Sequence, residues 1–172
     1  SLAETIRDIN KYSNNVMAQQ LYLTLGRGSA GPDAQSAASF AASNAWVQSW
    51  WAQRFGVSDP PVLENGSGLS RQESVSANAL GQLLQAAYAA PTMPELMASL
   101  PVAGQDGTLR RSNTNTPAHL KTGSLRDVTA LAGYVHGASG KRYVLVAIAN
   151  HPSTEAARPV FDALLEWTMR DR

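Results

Sequence analysis

The sequence predicts an α+β fold on three observations. Apolar residues in the first hundred positions recur at helical spacing, the last third alternates as strands do, and an amphipathic segment closes the chain. Residues 3–11 set Ile6 and Ile9 among charged neighbours, giving a short amphipathic helix that Tyr12 and Ser13 interrupt. Ser13 is expected to N-cap a second helix, with Val16, Met17, Gln20, Leu21 and Leu25 at helical spacing and Gly26 at its end. Residues 27–33 are rich in Gly and read as loop. Residues 34–55 are rich in Ala and read as a long helix, with Trp46, Trp50 and Trp51 as packing residues. Residues 56–68 carry Asp59-Pro60-Pro61 and Asn65-Gly66-Ser67-Gly68, so they read as loop and turn. A helix is predicted over 76–90, with Leu80, Leu83, Leu84 and Ala87 on one face, and Pro91 and Pro94 bracket a short helical piece ending at Pro101. Residues 104–117 form a long polar connection. Strands are predicted over 118–122, 131–136 and 142–149, the last two joined by a hairpin turn at Ala138-Ser139-Gly140. Ser153 is expected to cap a final helix in which Ala157, Val160, Phe161, Leu164, Leu165 and Thr168 share a face. Residues 1–101 thus make a mainly helical part, and 102–172 the strands and closing helix, of one domain.

Composition narrows the function classes. With 44% hydrophobic and 16% charged residues, the 172-residue chain has the material for a packed core. A net charge of +1 argues against a nucleic-acid partner, which needs clustered cations, and a doublet such as Arg110-Arg111 is too short to supply them. There is no cysteine, which excludes disulfides, thiolate catalysis and cysteine metal sites. His119, His136 and His151 lack metal-ligand company, so no metal is expected. The longest strongly apolar run, residues 144–149, is too short to cross a bilayer, and no transmembrane segment is expected. The first residues do not read as a signal peptide.

The chemistry-bearing residues fall in two stretches. His119-Leu120-Lys121-Thr122-Gly123-Ser124 places a Lys-Thr-Gly on a predicted strand, and Ser13-Asn14-Asn15 is a Ser-x-Asn at a helix entry. Together they are two of the three marks of the penicillin-recognising serine acyltransferases. The Lys121 cation suits a substrate carboxylate, and the Thr122 hydroxyl can hydrogen-bond the same group. Gly123 leaves room for a substrate backbone against the strand edge, and the Ser124 N–H can donate to a developing oxyanion. A Ser13 hydroxyl bridging toward Lys121 could pass a proton to a leaving amine, while the Asn15 amide offers a donor and an acceptor. The third mark, Ser-x-x-Lys, is absent: the three lysines Lys11, Lys121 and Lys141 follow Asp8, Ala118 and Ala138 at that distance.

Four stretches resemble one family: residues 9–15, Asn65-Gly66-Ser67-Gly68-Leu69-Ser70-Arg71, residues 119–125, and Ala132-Gly133-Tyr134-Val135. The chain resembles the C-terminal part of the class C low-molecular-mass penicillin-binding proteins, the D-alanyl-D-alanine carboxypeptidase/endopeptidases of the penicillin-binding protein 4 type (peptidase family S13). The resemblance implies a transpeptidase-like fold, an antiparallel sheet flanked by helices beside a helical subdomain. It implies that Ser13, Asn15, Lys121, Thr122 and Gly123 line the penicillin-binding cleft. It also implies a serine acyl-enzyme on periplasmic peptidoglycan stem peptides ending in D-Ala, inhibited by β-lactam antibiotics, without metal or organic cofactor. The family's Ser-x-x-Lys nucleophile, its helix and the first strands would then come from an N-terminal part of the same protein outside this chain, which alone is expected to be inactive. Asn65 stands where the family has Asp, so a charge role is lost there but a turn role survives. A class A β-lactamase would need a Glu followed four residues on by Asn; Glu64, Glu73 and Glu95 are followed by Gly68, Ala77 and Ser99. The alternative is a penicillin-binding-like domain that binds peptidoglycan or a protein partner without catalysis.

Overall fold

The computed structural model describes residues 1–28, 38–112 and 117–171. The elements run α1 (Leu2–Tyr12), α2 (Asn15–Gly28), α3 (Phe40–Phe55), α4 (Ala77–Tyr88), α5 (Met93–Ser99), β1 (Ala118–Leu125), β2 (Val128–His136), β3 (Arg142–Asn150) and α6 (Arg158–Arg170), with 3₁₀ turns at Gly107–Leu109 and Thr154–Ala157. They separate into two compact units, Ser1–Ser13 with Leu80–Arg172, and Asn14–Ala79. The predicted α+β class is the observed one. Among the described residues, no helix is long and apolar enough to cross a membrane.

The first unit is built on the antiparallel meander β1-β2-β3. β1 runs through the Lys-Thr-Gly to Leu125, and β2 starts three residues earlier than its apolar pattern suggested. Arg126 and Asp127 make the tight connection, with Asp127 at φ 63°, a conformation that Asp tolerates. Register places Leu120 opposite Gly133 and Gly133 opposite Leu145. The two-residue period then turns Ala118, Leu120, Leu131, Val135 and Leu145 to one face, where they form a core with Leu165 of α6 and flanking Phe161 and Leu164. Leu120 and Val135 are fully buried, which is worth about 1.5–3 kcal/mol for each side chain. Lys121, Gly123 and Tyr134 take the opposite face. There the Tyr134 hydroxyl donates to the Leu84 carbonyl of α4 at 2.8 Å, and His119 Nδ1 lies 3.0 Å from the Met97 carbonyl of α5.

The outer edge of β1 is only partly covered. Leu120 N–H donates to the Pro101 carbonyl at 2.9 Å, and Ala103 N–H donates to the Ala118 carbonyl at 3.1 Å. Even-numbered residues of β1 therefore point their backbone groups outward. Beyond Leu120 the same edge continues at Thr122 and Ser124, and among the described residues no further strand pairs with it.

The second unit packs α2 against α3. A Cβ on Gly26 would lie 2.7 Å from the Ser43 backbone N, so glycine permits the close approach of the two helices. Gly26 is thus an interior crossing point, and the helix that it was expected to end continues to Gly28. Trp51 is 2% exposed and meets Phe55 at 4.5 Å between ring centroids, while Trp46 and Trp50 stack on each other, so the tryptophans pack as expected. The Glu73 carboxylate accepts N–H bonds from Glu64, Asn65 and Gly66, each at 3.1 Å. Asn65 Oδ1 accepts from Ser67 N–H at 2.9 Å, the turn role anticipated for it.

Other boundaries differ from expectation for local reasons. Ser13 does not cap α2. It is the C-cap of α1, at φ 51° and ψ 47°, and its neighbour Asn14 takes the capping role by accepting from Met17 N–H at 3.1 Å. In the third predicted helix, Ser39 caps a start at Phe40; residues 29–37, part of the expected loop and of that helix, lie outside the described residues. Residues 104–117 contain a 3₁₀ turn, and 113–116 are likewise outside. Ser153 precedes a 3₁₀ turn instead of capping α6, whose first turn holds Pro159, and Val160 is 63% exposed, off the buried face.

Candidate functional site

The end of α1 and the middle of β1 meet at one hydrogen bond. α1 stops because Ser13 adopts the left-handed conformation, with its N–H donating to the Ile9 carbonyl. That conformation costs a non-glycine residue about 1–2 kcal/mol, and it ends the helix. The Ser13 side chain is then in reach of β1: Lys121 Nζ donates to Ser13 Oγ. Lys121 Nζ also donates to the Thr122 carbonyl at 2.9 Å. Residues 108 positions apart are thereby joined by their functional groups, as their residue types anticipated.

Burial dominates the electrostatics. The Lys121 ammonium is withdrawn from water, and that desolvation holds its pKa below the ordinary lysine range. A lysine so placed gives up a proton more readily than an exposed one. Among the described residues, its two hydrogen-bond acceptors leave one N–H of the ammonium for a third group.

Strand alternation turns Thr122 to the other side of β1, where its hydroxyl shares a hydrogen bond with Thr108 at 2.8 Å. Thr108, just after Gly107 in the polar connection, carried no local signal of this role; only the fold brings it to β1. Gly123 lies beside Lys121 on the strand and is exposed. A Cβ there would meet only Ala130 Cβ, at 3.4 Å, an ordinary contact, so internal packing does not demand glycine. Ser124 presents its N–H on the outer edge of β1, with which no other described strand pairs. Asn15 is the first residue of α2 and belongs to the second unit, whereas Ser13 belongs to the first. The structure thus brings Ser13 and Lys121 together, with Thr122, Gly123 and Ser124 continuing along the same strand. Chemically, the arrangement offers a cation for an anionic group, a hydroxyl–ammonium pair able to relay a proton, and a strand edge with which no other described strand pairs.

The sequence profile of the D-Ala-D-Ala carboxypeptidase 3 (S13) family matches residues 1–171. The D-alanyl-D-alanine carboxypeptidase of Actinomadura sp. (strain R39) is 35% identical over 149 residues, covering 81% of this chain and 27% of that protein. The carboxypeptidase DacB of Mycolicibacterium smegmatis is 30% identical over 173 aligned residues, covering 95% of this chain and 36% of that protein. Penicillin binding protein 4 (dacB) from Haemophilus influenzae, in its crystal structure with a β-lactam, superposes on 94% of this chain with a TM-score of 0.75 at 26% identity. That match covers 41% of the H. influenzae chain. The present chain therefore spans about a quarter to two fifths of the length of these relatives. A meander edged by a Lys-Thr-Gly, a serine delivered to that lysine from a helix end, and a family profile spanning 1–171 agree: the chain belongs to the D-Ala-D-Ala carboxypeptidase 3 (S13) family.

Proposed function

We propose that this chain forms one wall of a serine-type D-Ala-D-Ala carboxypeptidase/endopeptidase that acts on peptidoglycan stem peptides in the periplasm and is acylated by penicillins. The observation that carries this reading is the Lys121–Ser13 hydrogen bond. In the proposed reaction, Lys121 holds the terminal carboxylate of the substrate, and the Thr122 hydroxyl adds a donor at the strand edge. The substrate backbone lies along the outer edge of β1 past Gly123, where Ser124 N–H donates to the oxyanion, a contribution of roughly 3 kcal/mol. As the tetrahedral intermediate collapses, the C–N bond breaks. The Ser13 hydroxyl proton goes to the departing amine, and Ser13 takes a proton back from Lys121. Asn15 orients a substrate amide. The attacking serine, with the lysine that activates it, is supplied by sequence upstream of this chain, since no Ser-x-x-Lys occurs in it. That same absence favours a second reading, a domain that binds peptidoglycan or a protein partner without catalysis.

The sequence joined upstream separates the two readings. A Ser-x-x-Lys there, with release of D-Ala from a stem peptide by the intact protein, is the expected result; an intact protein without that motif and without release favours the binder.

A substitution at Gly123 probes the substrate path separately from the fold. Because a methyl at this position meets only Ala130, Gly123→Ala is expected to change stability by less than about 1 kcal/mol. In the intact enzyme the same methyl stands where the substrate backbone passes, so acylation by penicillin is expected to slow at least tenfold. Urea melts and fluorescent-penicillin labelling check the two halves; unchanged labelling would remove the substrate from this edge.

A further inference from the structure

A second lysine lies two residues before Ser13, and its contacts differ from those of a solvated helix end. The Lys11 side chain is only 12% exposed. Its Nζ donates to the Leu100 carbonyl at 2.7 Å and pairs with Asp106 Oδ2 at 2.6 Å. The other oxygen of Asp106 accepts from Val102 N–H at 2.8 Å. On each side of Val102 the chain is hydrogen-bonded to β1, Pro101 to Leu120 and Ala103 to Ala118. The last turn of α1 rests directly on this segment: a Cβ on Gly107 would lie 2.7 Å from the Lys11 carbonyl and 3.1 Å from Pro101. Asn10 adds a bond to Ser99 at 2.7 Å. An unbroken path therefore runs from the end of α1 through Lys11, Asp106 and residues 101–103 into β1, one residue short of Lys121.

We propose that Lys11 and Asp106 are positioning residues that set the Ser13 hydroxyl against the Lys121 ammonium. The proposal rests on the reading above, in which those two groups act together on the substrate. The physical requirement is plain. Ser13 stands at a helix end and Lys121 on a strand, and their side-chain bond persists only if both backbones are held at fixed separation. The half-buried ion pair supplies a directional, charge-assisted tie between the two, stronger than a neutral hydrogen bond. Asp106 is well formed for this task. Burial pushes its carboxyl up, but the hydrogen bonds from Lys11 and Val102 outweigh that and hold it below the usual carboxylate range. A helix C-terminus also favours the Lys11 cation.

The test uses the 172-residue chain, whose three lysines give three resolvable side-chain signals after ¹³C,¹⁵N-lysine labelling; Lys141→Arg assigns one of them. Lys11→Met and Asp106→Asn are expected to shift the Lys121 Cε and Nζ resonances and to move its titration up toward the ordinary lysine range, as the ammonium loses Ser13 and gains water. Lys11→Arg keeps the cation and is expected to leave the Lys121 titration close to that of the unaltered chain. A Lys121 titration unmoved in folded Lys11→Met and Asp106→Asn overturns the proposal. Should those variants not fold, the unaltered chain decides: on acidification, the Ser13 amide and Lys121 Cε signals are expected to shift with the same midpoint as the Asp106 carboxyl, and independent midpoints overturn it. Penicillin acylation does not enter this readout, so an inactive intact protein would defeat the functional reading and leave the positioning role standing.

Discussion

Replacing Lys121 with alanine is expected to slow acylation of the intact enzyme by penicillin roughly 10²- to 10³-fold, with little change in thermal midpoint. The rate effect follows from two losses at once. In the proposed reaction the substrate carboxylate would lose its cation, and Ser13 the group that returns its proton; removing one well-placed donor from an acyl-transfer site costs about 2.7–4 kcal/mol. The small effect on stability follows from burial. An ammonium withdrawn from water repays its desolvation poorly, so deleting it with its stem sacrifices little folding energy. Lys121→Arg is not expected to rescue activity, because a guanidinium does not give up its proton at any working pH. The pH dependence has a definite sign. With the folded-state pKa of Lys121 depressed, the unfolded chain binds more protons between that value and the ordinary lysine pKa. Stability therefore rises with pH across this window and is lost as pH falls through the depressed value. Alkaline denaturant titrations of Lys121→Ala should lack that rise. Unaltered labelling rates in Lys121→Ala would detach the lysine from the chemistry.

The largest effect on stability is expected at Gly133. This residue of β2 faces Leu120 of β1 at φ 153°, and a Cβ there would lie 2.1 Å from the His119 carbonyl oxygen and 2.9 Å from Leu120 Cα. The obstructing atoms are backbone, so no side chain can rotate aside. Gly133→Val must therefore part β1 from β2 at the register position next to Lys121, or strain both strands. We expect a loss of about 3 kcal/mol or more, read as a lowered urea midpoint. Displacement of the Lys121 side-chain resonances should accompany it. A variant within about 1 kcal/mol of the original would mean that the strands tolerate a wider separation here than the geometry allows.

How much of this was legible in the sequence depends on the range of the forces involved. The meander could be read because alternation is local: Leu120, Leu131, Val135 and Leu145 each show their face within a few residues. The hairpin turn at residues 138–140 was legible for the same reason. The Lys121–Ser13 contact could be anticipated because an ammonium and a hydroxyl complement each other chemically. What local pattern could not supply was the choice between Ser13 and Asn14 as helix cap. Both side chains are competent, and the left-handed turn at Ser13 decided it. Gly26 misled for a different reason. Its missing side chain serves the approach of Ser43 from another helix, a contact invisible in the sequence around it. Thr108, Lys11 and Asp106 share that invisibility, since each acts across the chain on a partner or backbone far from it in sequence. Asn65, by contrast, kept its turn through a bond two residues long and was readable at once.

We read this chain as the Ser13–Lys121 wall of a penicillin-reactive cleft without the serine that attacks. Intact-mass spectrometry after incubation of the 172-residue chain with benzylpenicillin decides whether that serine is missing. An unchanged mass is expected for this chain, and a single penicilloyl adduct for the protein extended upstream through a Ser-x-x-Lys. A covalent adduct on a serine of the 172-residue chain itself would contradict it.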